Sequence, residues 1–344
     1  IEDIRECIGC NICIMSDNTC TPIRCTQNPT MGEEWRKGWH PEIIAPAKSR
    51  ETVLVVGGGP AGLEASRALA ARGLEVMLAE RREVWGGRVT DEAGLPGLSA
   101  WGRVRDWRLG QLDKMPNASL FPASDMTAEN IAETGAQHVV LATGSTWRAD
   151  GVGRSSHKAI ENIDAGELRT PDDLMAGRMP DGGGPVVIYD DDGIYMGGLL
   201  AHLCARAGLE TVIVTPYAVV SPWSEYTLEQ HRIQKQLLQL GVRIMAHKKI
   251  TARSASTVEA ECVFTGQRSQ IDCHSLVPVT ARLPECALWE DLQAIAAGKI
   301  STITRIGDCL APGAIVHAVY AGHRYAREFG ATPERDRAAF RREA

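Results

Sequence analysis

The sequence predicts an α/β protein of two Rossmann-like, dinucleotide-binding domains, the second inserted in the first, preceded by a cysteine loop suited to an iron–sulfur cluster. Three observations carry that reading. The glycine-rich turn Gly57-Gly58-Gly59-Pro60-Ala61-Gly62 lies between an unbroken apolar run and a helical stretch. The same strand-helix-strand outline recurs from Pro185 to Val214, and strand character returns near Ile303. Five of the ten cysteines, Cys7, Cys10, Cys13, Cys20 and Cys25, crowd one end of the chain.

The length of 344 residues suits roughly two domains at about 150 residues each. With 44% hydrophobic and 23% charged residues the composition is that of a globular protein. No apolar run approaches the roughly 18 residues of a membrane-spanning helix. The 37 basic and 43 acidic residues leave a net charge of −6, so nothing in the totals suggests a polyanion such as nucleic acid as the partner.

Residues 1–48 read as irregular, with Trp35, Trp39 and prolines at Pro22, Pro29, Pro41 and Pro46, and the stretch from Pro46 to Ser49 reads as a linker. Val53-Leu54-Val55-Val56 then has the continuous apolar character of a strand buried on both faces. A helix carrying Leu63, Leu69 and Ala70 follows, closed at Gly73, and Val76 to Ala79 forms the next strand, ending in Glu80. His138 to Leu141 is a further strand before Ala142-Thr143-Gly144. Thr127, with Glu129-Asn130 behind it, reads as a helix cap.

In the second unit Pro185 to Tyr189 is the strand, Leu199 to Ala207 the helix, Gly208 its stop and Thr211 to Val214 the following strand. Ile303 to Ile306 leads into Gly307-Asp308, and Ala311 to Phe329 has helical spacing. The expected domains are a cluster segment over 1–48, a dinucleotide-binding domain over 49–175 and 290–335, an insert over 176–289, and a tail over 336–344.

Cys7-x2-Cys10-x2-Cys13 puts three thiolates on one tight loop, an arrangement that wraps a cubane. Zinc is the alternative, but it is usually held by two separated Cys-x2-Cys pairs. The fourth ligand is open between Cys20 and Cys25. Such crowding in a long chain points to metal in a reducing, cytoplasmic setting rather than to disulfides.

Gly57, Gly59 and Gly62 make G-x-G-x-x-G in the required context, where the turn, the close backbone approach and the helix–strand packing each need a glycine. Glu80 ends the second strand, placed to accept from a ribose 2′-hydroxyl, with Arg81 and Arg82 beside it. The equivalent positions in the second unit are Asp190, Asp192 and Tyr195, with Asp191 between. Three carboxylates there oppose an anion site. His40, His317 and His323 have no visible partner and receive no chemistry.

Cys7-Ile8-Gly9-Cys10-Asn11-Ile12-Cys13, Cys25-Thr26-Gln27-Asn28, Gly32-Glu33-Glu34-Trp35 and Gly38-Trp39-His40-Pro41-Glu42 closely resemble the trimethylamine dehydrogenase family. That family comprises iron–sulfur flavoprotein amine dehydrogenases and N-demethylases, related more distantly to 2,4-dienoyl-CoA reductase. Trp85-Gly86-Gly87-Arg88, Ala142-Thr143-Gly144 and Ile306-Gly307-Asp308 follow in the family's order.

The resemblance implies a [4Fe–4S] cluster on Cys7, Cys10, Cys13 and Cys25, with Cys20 an extra cysteine. It implies glutathione-reductase-like domains in which ADP, or alternatively FAD, meets Gly57, Gly59, Pro60, Ala61, Gly62, Glu80, Arg81, Gly87, Arg88, Thr143, Gly144, Gly307 and Asp308. It further implies FMN on a TIM barrel that nothing in this sequence matches, so that the chain, starting at Ile1, reads as the electron-handling back part of a larger enzyme. The barrel, as a domain or subunit, would oxidise an amine. An electron-transfer flavoprotein or similar acceptor and a homodimeric partner complete the expectation. Two rivals stand beside it: an FAD-dependent NAD(P)H oxidoreductase of the dienoyl-CoA reductase type, and a non-catalytic nucleotide-binding scaffold.

Overall fold

The computed structural model describes residues 3–295 and 300–331, so the tail expected over 336–344 lies outside the described residues. The chain first lays down four strands, β1 (Thr52–Val56), β2 (Glu75–Ala79), β3 (Ala118–Phe121) and β4 (His138–Leu141). It leaves through β5 (Ser145–Trp147) and builds β6 (Glu167–Leu168), β7 (Val186–Asp190), β8 (Thr211–Val214) and β9 (Arg243–Met245). An antiparallel unit of β10 (Lys248–Arg253), β11 (Thr257–Cys262) and β12 (Arg268–Asp272) follows. The path then runs through β13 (Ser275–Val279), β14 (Arg282–Pro284) and β15 (Thr302–Arg305).

Two parallel five-stranded sheets result, in the orders β15-β4-β1-β2-β3 and β6-β13-β7-β8-β9. Strands β5 and β14 pair antiparallel, so the outgoing and returning crossings between the sheets run side by side. The central strands are buried on both faces: Val53, Val55, Val187 and Ile213 have no exposed surface. That is the burial pattern a parallel sheet covered by helices imposes.

Most elements lie within a residue or two of the sequence-based expectation. Two differences have identifiable causes. Residues 1–48 contain the short helices Ile12–Asn18 and Glu34–Lys37, neither long enough to show an apolar period. The second sheet also draws its edge strand β6 and the flanking helix Pro171–Met175 from before residue 176. At its far end β14 has already rejoined β5, and Leu292 packs with Ile131 and Val139 of the first domain. The excursion therefore starts and ends earlier than 176–289, because a two-residue edge strand carries no periodicity of its own. Thr127 caps the helix Ala128–Glu133 as expected, accepting from the Asn130 N–H at 3.2 Å.

Candidate functional site

The glycine turn joins β1 to the helix Pro60–Ala71. Gly57 has φ +109°, and a Cβ there would strike the Ala142 carbonyl, so side chains are excluded by both conformation and space. A Cβ at Gly62 would collide with the Gly57 carbonyl oxygen, which keeps the helix tight against the turn. Gly59 differs: nothing lies within 4 Å of the position its Cβ would take. It is the N-cap and supplies no side-chain cap, with Pro60 in the first turn. The first free helical N–H groups, on Ala61 and Gly62, thus begin an uncapped helix beside open space, the requirement of an anion cradle.

Glu80 is buried at the end of β2 and accepts from the Gly58 N–H at 2.6 Å and the Arg82 N–H at 2.9 Å. A carboxylate has further lone pairs, so capacity for a ribose hydroxyl remains. Arg82 is committed to Asp91 through bonds of 2.8 and 2.7 Å, and Arg81 is exposed. Trp85 and Gly87 close over the turn, a Cβ on Gly87 standing 3.2 Å from Gly59 Cα.

Opposite, Gly307 packs on Ala61, its Cβ position 2.7 Å from that methyl group. Asp308 is taken up internally. Its carboxylate meets Arg88 at 3.1 Å, Arg282 at 2.5 Å, the Ser145 hydroxyl at 3.1 Å and the Gly313 N–H at 3.0 Å. Thr143 donates to the Glu285 carbonyl and Gly144 accepts from the Glu285 N–H, both at 3.0 Å. The residues expected at a nucleotide therefore converge, but their free polar groups cluster at the glycine turn and not at Asp308.

The cysteine loop is seated by Ile8, which is buried with Val89, Val104, Ile315 and Val319. Gly9 and Asn11 adopt left-handed conformations that turn the loop back on itself. The Gly9 N–H points to Cys7 Sγ at 3.3 Å, the Asn28 N–H to Cys25 Sγ at 3.4 Å, and Cys10 Sγ lies 3.2 Å from the Thr26 hydroxyl. Burial pushes the Cys10 thiol up, and the nearby Cys25 and Cys7 sulfurs push it further, against hydrogen bonds from Thr26 and the Ile12 N–H. Cys13 lies in the first turn of the helix Ile12–Asn18, and Cys20 is exposed just past its end.

Among the described residues no three cysteine sulfurs lie within 4.8 Å of one another.

The family model for pyridine nucleotide-disulphide oxidoreductases matches residues 51–304. The chain belongs to this family. Dimethylamine dehydrogenase from Hyphomicrobium sp. (strain x) is 35% identical over 373 residues, an alignment that takes in 100% of this chain and 50% of the relative. The structure of histamine dehydrogenase from Rhizobium sp. 4-9 matches with a TM-score of 0.97 and 49% identity, over 100% of this chain and 54% of that one. The 6-hydroxypseudooxynicotine amine oxidase of Pseudomonas geniculata N1 gives 0.93 and 42%, over 95% and 49%. The chain thus spans about half the length of these relatives, and the resemblance to the C-terminal part of the trimethylamine dehydrogenase family is borne out. It is an oxidoreductase sequence, and no helix among the described residues is long and apolar enough to cross a membrane.

Within this family frame the second turn is closed by its own side chains. Asp190 Oδ1 accepts from the Gly193 N–H at 2.9 Å, and Asp191 accepts from the Ser155 N–H at 2.8 Å and hydroxyl at 2.6 Å. The Asp190 side chain also lies against Gly197, and the Tyr217 ring against Gly193. Burial pushes the Asp190 carboxyl up to about 7 and that of Asp192 up to about 6. Repulsion by three full charges is therefore not the whole obstacle, since the N–H donor and the space are already occupied.

A folded-state value above the unfolded one means that this acid stabilises below about pH 4 and loses that contribution as pH rises toward 7, by about 1.4 kcal/mol per unit. The stability of D190N relative to the native protein is accordingly expected to rise between pH 4 and 7. Paired thermal melts at pH 5 and 8 check this; an unchanged difference between variant and native would contradict it.

Sequence reasoning missed the buried network behind the site. Glu64, on the glycine-turn helix, meets Arg108 Nε at 2.8 Å, Arg67 at 2.6 Å and His323 Nδ1 at 2.8 Å. Arg108 continues to the Gln27 side chain at 3.0 Å and its carbonyl at 3.2 Å, two residues beyond Cys25. No local pattern signals it, because its members are far apart in the chain. His40 accepts from the N–H groups of Glu42 and Ile43, a turn role, while His323 belongs to the network.

Proposed function

We propose that this chain is the electron-relay and nucleotide-binding part of an iron–sulfur flavoprotein that dehydrogenates or demethylates an amine. The observation that carries it is the seating of Cys7, Cys10 and Cys25 around one loop, fixed by Ile8 and Gln27 onto the helices that flank the single open glycine turn. Cys7, Cys10, Cys13 and Cys25 would hold a [4Fe–4S] cluster, which supplies one-electron steps between an amine-oxidising flavin and an external carrier such as an electron-transfer flavoprotein.

The chain's own part is to hold the thiolates and tune them. The Gly9 and Asn28 N–H groups and the Thr26 hydroxyl stabilise negative charge on three of the sulfurs, which favours the reduced state. Burial of Cys10 acts the other way by disfavouring charge.

ADP fits the first turn. The uncapped N–H groups at Ala61 and Gly62 suit its diphosphate and Glu80 its ribose. With Arg82 bound to Asp91, a 2′-phosphate has only exposed Arg81 to meet it. Asp308, spent on Arg88 and Arg282, has little acceptor capacity for a cofactor that extends beyond the diphosphate.

A second reading, FAD with a nicotinamide cofactor, is favoured by one feature. A cavity of about 990 Å³ opens beyond Asp308, between the cysteine loop and the second domain, with Cys10, Trp101, Tyr195 and Arg282 in its wall. Extracting the nucleotide decides between them. ADP by mass spectrometry, together with a cluster EPR signal in dithionite-reduced protein that an electron-transfer flavoprotein oxidises, is the expected result. Recovery of FAD with pyridine-nucleotide oxidation would overturn the ADP reading, and absence of both iron and an EPR signal would leave a scaffold.

A further inference from the structure

We propose that Glu167, Asp181 and His274 form a divalent-cation site of the zinc class on the second domain, independent of the cysteine loop and the glycine turn. The three donors come from separate stretches: strand β6, the loop before β7 and the residue preceding β13. One ligand atom from each lies within 4.8 Å of the others.

The distances bracket what an ion requires. His274 Nε2 stands 2.7 Å from Asp181 Oδ1 and 3.8 Å from Glu167 Oε2. Tetrahedral ligands at about 2.0–2.2 Å from zinc are about 3.4 Å apart, so small side-chain adjustments close the site. One imidazole nitrogen with two carboxylates is a donor set for zinc and its neighbours in the first transition row, and water completes the fourth position.

Glu167 distinguishes this site from an ordinary ion pair. Its Oε1 is bound by Arg169 at 2.7 Å, whereas its Oε2 is buried without a hydrogen-bond partner. The single Nε2 N–H of His274 can serve Asp181 but cannot serve Glu167 as well, which leaves a buried carboxylate oxygen unmet. A cation between the three satisfies both oxygens and uses the imidazole as a neutral ligand. Access is provided by an open depression of about 450 Å³ lined by His274, Gly183, Gly184, Glu210 and Asp272. A side chain at Gly183 would strike the His274 ring, at 2.8 Å, so the glycines let the loop lie against the imidazole.

The bound ion would tie the edge strand β6 and the Asp181 loop to the start of β13. The test uses the cluster-loaded protein, dialysed against a mild chelator with iron content verified, and titrated with Co²⁺ as a spectroscopic substitute for Zn²⁺. Expected are one equivalent bound, a weak visible band without intense thiolate-to-cobalt charge transfer, and a melting temperature higher by a few degrees at saturation. H274A and D181N should each weaken binding at least about tenfold, since losing a ligand costs no less than losing a ligand's support.

Asp181 is exposed, so D181N keeps the question answerable if H274A does not fold. No binding, binding that neither folded variant weakens, or sulfur-to-cobalt charge transfer at the same equivalence point would overturn the proposal.

Discussion

Replacing Arg108 by methionine is expected to lower the unfolding free energy by about 3 kcal/mol, the cost of taking one partner from a buried charge cluster and leaving buried Gln27 acceptors unmet. Arg108 and Glu64 are both without exposed surface, joined at 2.8 Å. Burial lowers the Arg108 guanidinium to about 10, so it is still charged at neutral pH. For Glu64, burial alone would raise the carboxyl, but Arg67, Arg108 and His323 together hold it well below the usual range. In R108M, Glu64 keeps only Arg67 and His323, and the Gln27 side chain and carbonyl lose the donors that fix them.

A drop in melting temperature of about 4 °C follows for a chain of this size. Because Gln27 follows Cys25 closely, iron should also be lost faster during chelator challenge. In a double-mutant cycle the loss in E64Q/R108M should be smaller than the sum of the losses in E64Q and R108M, since Glu64 and Arg108 bond directly. Additive losses in that cycle would show that the pair is not coupled. A further sign follows from the low folded-state value of Glu64: its contribution is present above the unfolded value near 4.5 and is lost as pH falls below it, so the native protein should lose more stability on acidification than E64Q.

The second large effect concerns the fourth ligand of the proposed cluster. C25S is expected to abolish the EPR signal of the reduced cluster and most of the bound iron, while C20S leaves both intact. Cys25 has the Asn28 N–H directed at its sulfur and lies near Cys10, which its charge raises. Cys20 is exposed at a left-handed residue beyond the short helix, and none of the groups acting on Cys10 belongs to it. Serine preserves size but loses the soft thiolate that a cluster iron selects. Iron analysis and EPR on both variants settle the assignment; a cluster retained in C25S and lost in C20S would reverse it.

Much of the fold is legible in the sequence, because parallel strands buried on both faces produce unbroken apolar runs. Val53–Val56, His138–Leu141 and Thr211–Val214 stand where that pattern puts them. The glycine turn is legible for a related reason: Gly57 and Gly62 are positions where steric exclusion admits no side chain, and that requirement is written in residue identity. Strand β6 was not legible, since two residues make no pattern, and its partner β13 lies more than a hundred residues away. The second turn was only half legible. Its aspartates are visible in the sequence, but their capture of the Gly193 N–H and of Ser155 is not.

The sequence by itself determined the α/β class, the one open glycine turn, the cysteine loop and the family to which they belong, because each rests on local spacing or on a steric demand within a few residues. Only the tertiary structure decided what surrounds them. It drew Asp308 to Arg88 and Arg282, buried Glu64 among Arg67, Arg108 and His323, and brought Glu167, Asp181 and His274 together. Those groupings join residues far apart in the chain, and their energies come from burial and charge pairing, which exist only once the two sheets have packed.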